Sequence, residues 1–506
     1  MLKLRRHVWL LAVLAFFAPL YVVWAWSDRL GQLGGDAAYY LMMARTYAPY
    51  LDQDPLFAAV AASSRFPPLY PLVLALLGGA NSLPAAQIIT VACLIGALCI
   101  LYVWQIQAGL SASTAAATVL VVALLPGSYM LALSPQSEYL YLALSLLTLL
   151  LLDRAPAHPR CLYGAAVAIA ATCLTRAIGI ALLPALVVAA VRSGRMLVVA
   201  TTLLVAVAPL ALWMTLHASE HGYVSVLAGM YAHAPLHALG SQISIEGPAL
   251  LDGFAANILQ TSALRGAAML LCALMAIALV WRALQLHADG IYGLSYLAVL
   301  LIWPFPEEAK RFVWVLIPVG FVALALVVAP WRTRVPGRLV LVGWLGVMLL
   351  LTLPTLALVA KRYRAGNDSD VAGANRYAAW YGLDPQQADR DVRTHEAIVN
   401  GLRRMAKIVP ADTCVVSVKP ELVNYYAHLL SRWPPLTAAT DAEFERELRA
   451  TGCRYVAMIG GVQPALPIPL YPASRIGRYS NVIDGETFRT GQPPVNYVAF
   501  ELAELE

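Results

Sequence analysis

Residues 34–71 read GGDAAYYLMMARTYAPYLDQDPLFAAVAASSRFPPLYP. The segment follows an apolar run, Val8–Trp26, long enough to span a bilayer, yet it is itself only moderately apolar. It holds Asp36, Asp52 and Asp54 with Arg45 and Arg65, two tyrosine-rich patches, and the ending Arg65-Phe66-Pro67-Pro68-Leu69-Tyr70-Pro71. The prolines fix φ and stiffen that ending. In a chain this poor in charge, such a loop points to chemistry at the membrane surface. Asp36 is placed to act as a base, with basic groups to hold an anionic lipid head.

Around this loop the chain is a polytopic α-helical membrane protein. Of 506 residues, 60% are hydrophobic and 13% charged, with a mean hydropathy of +0.68. A soluble domain carries about 25% charged residues. The net charge of +6 reflects basic loops on one membrane face rather than a nucleic-acid partner. Apolar windows predict spans at 8–27, 84–105, 113–133, 138–152, 161–174, 177–191, 196–216, 264–285, 290–304, 312–330 and 338–360.

The basic residues orient these windows. Lys3, Arg5, Arg6, Arg154, Arg160, Arg192, Arg195, Arg282, Arg332, Arg334 and Arg338 fall on the cytoplasmic side. Arg160 and Arg192 flank 161–191, so the chain crosses twice there and turns near Thr175-Arg176-Ala177-Ile178-Gly179. The expectation is about eleven spans with the amino end inside the cell. The loop at about 28–83, Ser134–Glu138, residues 217–262, Pro304–Arg311 and the tail then face outward. Lys361, Arg362 and Arg364 sit against that rule at the last crossing.

Residues 1–360 form the membrane domain, and 361–506 have the composition of a soluble, outward-facing α/β domain. Helices are predicted at Asp389–Ile408, Pro420–His428 and Ala442–Ala450, and strands at Thr413–Val418, Arg454–Ile459 and Asn496–Leu502. Their alternation implies a small parallel layer. Lys419-Pro420-Glu421 follows the first strand where a nucleotide site needs glycines, so nucleotide binding has no support. Cys414 and Cys453 each begin a strand and would meet if those strands were neighbours, whereas the other five cysteines lie in or beside apolar windows.

Each polar candidate carries two readings. Asp36 fits a helix N-cap as well as a base, with Tyr39 and Tyr40 one turn along. Asp52 and Asp54 read as solvated loop charges, and Arg65 as a snorkelling residue or a phosphate ligand. Ser137-Glu138 reads as ordinary helix-start chemistry or as substrate positioning. Arg176, the lone charge in some thirty residues, marks a functional site. The cluster Glu307-Glu308-Ala309-Lys310-Arg311 is a solvated turn or a phosphate grip. His217-Ala218-Ser219-Glu220-His221 matches a zinc-protease pattern at the ragged end of a span, and no metal site is assigned from it.

Gly35-Asp36-x-x-Tyr39-Tyr40 with Ala44, followed by Arg65–Pro71, resembles the first outer loop of bacterial GT-C glycosyltransferases, among them protein O-mannosyltransferases and the lipid A aminoarabinose transferase. Ser137-Glu138, Thr175-Arg176-x-x-Gly179, Arg311-Phe312 leading to Pro318, and the passage from Val409-Pro410-Ala411-Asp412 to Lys419-Pro420 add shorter matches. The resemblance implies a GT-C-like fold and a polyprenyl-phosphate-linked sugar donor. It also implies an active site facing out of the inner membrane and inversion at the anomeric carbon. By it, Asp36 is the catalytic acid, while Asp52, Asp54 and Glu138 compete for a second loop acid. Arg65, Arg176, Lys310 and Arg311 are the expected phosphate ligands, with Tyr39, Tyr40, Glu138 and Glu307 available to position substrate. The acceptor is a hydroxyl of a lipid, a glycan or a protein; no cofactor is called for and a divalent metal is left open. The alternative is a secondary transporter or lipid-linked-sugar flippase, which would ordinarily show repeated halves that this sequence lacks.

Overall fold

The computed structural model describes residues 7–26, 35–64, 66–192, 196–217, 235–258, 265–303, 306–329, 385–435, 440–459, 480–490 and 495–505, with the isolated positions 194, 227, 231 and 346. The chain divides into two compact units, one from residues 1–28 and 63–360 and the other from 29–62 and 361–506. The fold is mostly helical, with a small sheet near the carboxyl end.

In the first unit, the predicted windows up to 312–330 coincide with described helices, and 338–360 lies outside the described residues. Val8–Ala25, Leu83–Gln107, Met196–Leu216, Arg265–Leu284 and Ala309–Val328 are long and apolar enough to cross a membrane. Along Met196–Leu216, Leu197, Leu204, Leu212 and Leu216 are exposed, a face suited to hydrocarbon rather than water. Helix starts follow the sequence. Ser82 and Ser111 accept from the Ala85 and Thr114 amides, satisfying N–H groups that have no partner inside their helices. The window 113–133 breaks in two at Pro126, which cannot donate and forces Leu125 out of the helical region (φ −60°, ψ 137°).

Polar edges of buried aromatics tie these helices together. The Tyr21 hydroxyl donates to the Ala123 carbonyl at 2.8 Å and Trp24 Nε1 to that of Tyr129 at 2.9 Å. Trp314 Nε1 donates to Ser128 Oγ at 3.0 Å. Helix Pro235–Ile258 was not expected, since it lies within a stretch read as outer loop. Its buried residues, Gln242, Glu246, Leu250, Gly253, Phe254 and Asn257, recur at helical spacing and form one stripe. That stripe packs on the start of Ala309–Val328, where Asn257 Nδ2 donates to the Lys310 carbonyl at 2.7 Å.

The second unit joins two early helices to the tail. Gly35–Tyr47 buries Ala37, Ala38, Tyr40, Leu41, Met42, Met43 and Ala44, and Pro55–Ala62 buries Phe57, Val60 and Ala61. Gly35–Tyr47 packs on Pro55–Ala62 and on the segment around Pro420–Leu422. Asp54, read from sequence as a solvated charge, instead caps Pro55–Ala62 by accepting from the Leu56 and Phe57 amides at 3.0 and 3.2 Å. Asp52 is exposed, as read.

The tail begins with the helix Pro385–Ile408, followed by β1 (Cys414–Ser417), a turn at Pro420–Leu422 passing into a π-helix at Val423–Ala427, β2 (Leu430–Arg432), the helix Asp441–Ala450, β3 (Tyr455–Ile459), β4 (Ser480–Thr490) and β5 (Val495–Leu505). The sheet order is β2-β1-β3-β5-β4. β2, β1 and β3 run parallel as expected, but β5 pairs antiparallel with both β3 and β4. The layer is therefore mixed, because residues 491–494 between β4 and β5 are too few for the crossover that a parallel neighbour requires. Its core is Val415, Val416, Leu448, Val456, Ala499 and Phe500. Cys414 and Cys453 form a disulfide, with Cα atoms 4.4 Å apart.

Candidate functional site

In the first unit three chain segments meet around one carboxylate. Glu138 opens the helix Glu138–Arg154, Arg176 ends the helix Cys161–Thr175, and Arg311 lies in the first turn of Ala309–Val328. Cys161–Thr175 runs back along Glu138–Arg154, which brings the end of one to the start of the other.

Arg176 sits at a break. Its backbone is extended (φ −153°, ψ 131°) between that helix and a 3-10 turn at Ala177–Leu182, which bears out the turn expected there. The chain doubles back so closely that a Cβ on Gly179 would lie 2.7 Å from the Cys173 amide nitrogen. Only glycine fits that approach.

Glu138 is fully buried. Its Oε1 lies 2.8 Å from a terminal nitrogen of Arg176 and 2.8 Å from one of Arg311. The same oxygen accepts from Arg311 Nε at 2.9 Å. Arg311 also donates to Gln136 Oε1 at 2.8 Å and pairs with Glu308 at 2.7 Å. The Ser137 side chain makes no cap bond to its helix; its Oγ accepts from Arg176 at 3.1 Å. Glu138 thus sits in the first helical turn as read, but Ser137 does not cap that helix, and both side chains bind guanidiniums. The Arg176 guanidinium carbon stands 4.7 Å from the Phe312 ring centroid, a cation–π distance. The Phe312 carbonyl accepts from the Tyr296 hydroxyl at 3.0 Å, which ties Ala309–Val328 to the helix Ala288–Leu301.

A buried carboxylate persists only when well paired, and two planar cations on one oxygen meet that need. The arginine side chains are 12% and 13% exposed, so both reach a surface from a low-dielectric wall. Glu308 also pairs with Arg311, so the two guanidiniums face two carboxylates, Glu138 fully buried and Glu308 a third exposed. Forked cations of this kind suit an anion with forked oxygens.

The other expected residues fall elsewhere. Asp36 is half-buried in the first turn of Gly35–Tyr47, one residue inside the start rather than at the N-cap; the positive helix end favours its charge. Tyr39 is half-buried and Tyr40 buried on the same helix. These three belong to the second unit, and Glu138, Arg176 and Arg311 to the first. Lys310 is half-buried beside Arg311. Arg65 and the Glu307 side chain lie outside the described residues, as do residues 218–221 of the histidine pattern. Among the described residues, no three His, Cys, Asp or Glu side chains gather as a metal site.

Sequence reading missed Gln136, Glu246 and His428. Glu246 is buried at 1% exposure and accepts from Gln242 Nε2 at 3.2 Å; its signal was the polar stripe along residues 242–257. His428 Nε2 meets Asp54 Oδ2 at 2.6 Å.

No family model and no curated protein matches the chain. Solved structures do. The oligosaccharyltransferase of Archaeoglobus fulgidus, in a complex with Zn and sulfate, superposes with a TM-score of 0.53 at 15% identity over 96% of this chain and 73% of that one. The same enzyme with an inhibitory peptide and a dolichol-phosphate gives 0.51 at 14% identity, over 97% and 74%. ArnT from Cupriavidus metallidurans bound to undecaprenyl phosphate gives 0.52 at 12% identity and covers 98% of both chains. At such identities the likeness is one of fold: the chain has the GT-C fold of these glycosyltransferases.

Proposed function

We propose that the chain is a membrane glycosyltransferase that moves a sugar from a polyprenyl-phosphate donor to an acceptor hydroxyl at the outer face of the inner membrane, with inversion. The observation that carries this reading is the pairing of Arg176 and Arg311 on the buried Glu138. Two cations held together at helix ends, in a fold whose solved examples include one bound to dolichol-phosphate and one to undecaprenyl phosphate, fit a lipid phosphate.

Arg176 and Arg311, with Lys310 and Arg65, take the phosphate oxygens and stabilise the charge that develops there. The acceptor oxygen attacks the anomeric carbon from the face opposite the phosphate. Its proton passes to the Asp36 carboxylate, the bond from carbon to phosphate oxygen breaks, and polyprenyl phosphate leaves with the bonding pair. An outward-facing tail is supported by the Cys414–Cys453 disulfide, which belongs in an oxidising compartment, and by the basic loops at the other ends of the spans.

The test is release of free polyprenyl phosphate when proteoliposomes containing the full chain receive a sugar-loaded polyprenyl-phosphate donor and an acceptor extract. A transferase releases the lipid phosphate in step with glycosylated acceptor. A flippase would move the intact donor between leaflets and release none.

A further inference from the structure

We infer that Glu138 is a positioning residue that keeps Arg176 and Arg311 as a pair and, through its fixed charge, limits how tightly they grip the lipid phosphate once the sugar has left. The inference rests on the reading of these arginines as phosphate ligands.

The geometry isolates the role. Arg176 and two nitrogens of Arg311 meet Glu138 at Oε1, and the side chain is buried. It is a counter-charge built into the wall, on the first residue of a helix, rather than a mobile group at the surface.

The charge of the ligand changes during the proposed reaction. A sugar-linked polyprenyl phosphate is a phosphodiester with one negative charge. The released monoester carries about −1.5 to −2 at neutral pH. With Glu138 neutral the cluster carries one more net positive charge, Glu308 still pairing Arg311, and holds the product more firmly than the donor, which slows turnover. A carboxylate touching both cations repels the ligand in proportion to the ligand's charge, so it weakens product binding more than donor binding.

Glu138→Gln separates charge from shape, because the amide retains an oxygen where Oε1 accepts. With the full-length protein in lipid nanodiscs, titration with polyprenyl phosphate is expected to show about tenfold tighter binding in Glu138→Gln than in the parent. Its kcat falls, a first turnover precedes a slow steady state, and KM for the donor moves less than kcat. Glu138→Asp keeps the charge and is expected to bind polyprenyl phosphate no more tightly than the parent.

A Glu138→Gln protein with the parental melting profile and unchanged or weaker affinity for polyprenyl phosphate overturns the inference. If Glu138→Gln does not fold, Glu138→Asp carries the test, and tighter product binding by it overturns the inference. The underlying reading fails separately: parent protein that does not bind polyprenyl phosphate, or Arg176→Lys and Arg311→Lys that both bind it as the parent does, removes the arginines as phosphate ligands.

Discussion

Asp54 and His428, 374 residues apart in the chain, meet at 2.6 Å. The contact fastens the capped end of the Pro55–Ala62 helix to the end of the π-helix, where His428 takes a left-handed backbone (φ 55°) and its ring lies 5.2 Å from that of Phe57. The early loop helices thereby form one folding unit with the tail.

The link has an acid limit. Burial pushes the Asp54 carboxyl up, but the His428 hydrogen bond and the Phe57 and Leu56 amides outweigh that and hold it below its ordinary value. A carboxyl lowered by folding contributes its full stability above the unfolded pKa of about 3.9 and loses it as pH falls through the lower folded value. Thermal unfolding of the second unit should therefore shift down as pH is lowered through that range. Asp54→Asn should flatten this dependence, as followed by circular dichroism.

Gly179→Ala should displace Arg176. The added Cβ meets main-chain atoms of Thr172 and Cys173 at 2.9 and 2.7 Å, which cannot swing aside as a side-chain tip would. A cost of about 1–3 kcal/mol is expected, with transfer reduced more than the melting temperature implies. Activity measured at equal folded fraction checks this.

Arg311→Ala leaves the buried Glu138 with one cationic partner fewer, a change that costs about 3–5 kcal/mol for a buried pair. Arg311→Lys keeps the charge but loses the fork that reaches Glu138, Gln136 and Glu308 together. The Lys variant should fold and show a raised KM for donor, by about tenfold or more. Steady-state kinetics on purified protein gives the comparison.

The disulfide closes a loop of 39 residues. Chain entropy for that length corresponds to about 4 kcal/mol, within the usual range of 2–5. Reduction, or Cys414→Ser with Cys453→Ser, should lower the denaturation midpoint of the second unit accordingly. In cells, the pair should resist maleimide until a reductant is added. Ready labelling without reductant would place the tail in the cytosol.

Local signals explain what the sequence made legible. Long apolar windows, Ser82 and Ser111 as caps, and the break at Arg176 all act over a few residues. Helix Pro235–Ile258 escaped because Pro248, Gln242 and Glu246 interrupt its apolar character, and its stripe makes sense only against Ala309–Val328. Strand β4, SNVIDGETFRT, is a polar edge strand whose sequence shows no sustained apolar alternation to betray it. Glu138, Arg176 and Arg311 were each singled out, yet their union was not, because Arg311 is 173 residues from Glu138 and nothing local predicts who meets whom. A longer separation still, 374 residues for Asp54 and His428, hid the union of residues 29–62 with the tail.

The most direct measurement is polyprenyl phosphate release by Asp36→Asn in proteoliposomes charged with sugar-linked donor and acceptor. If Asp36 is the base, the variant folds, binds donor as the parent does and releases lipid phosphate at least about a hundredfold more slowly. Release at the parental rate by the folded variant would contradict the account.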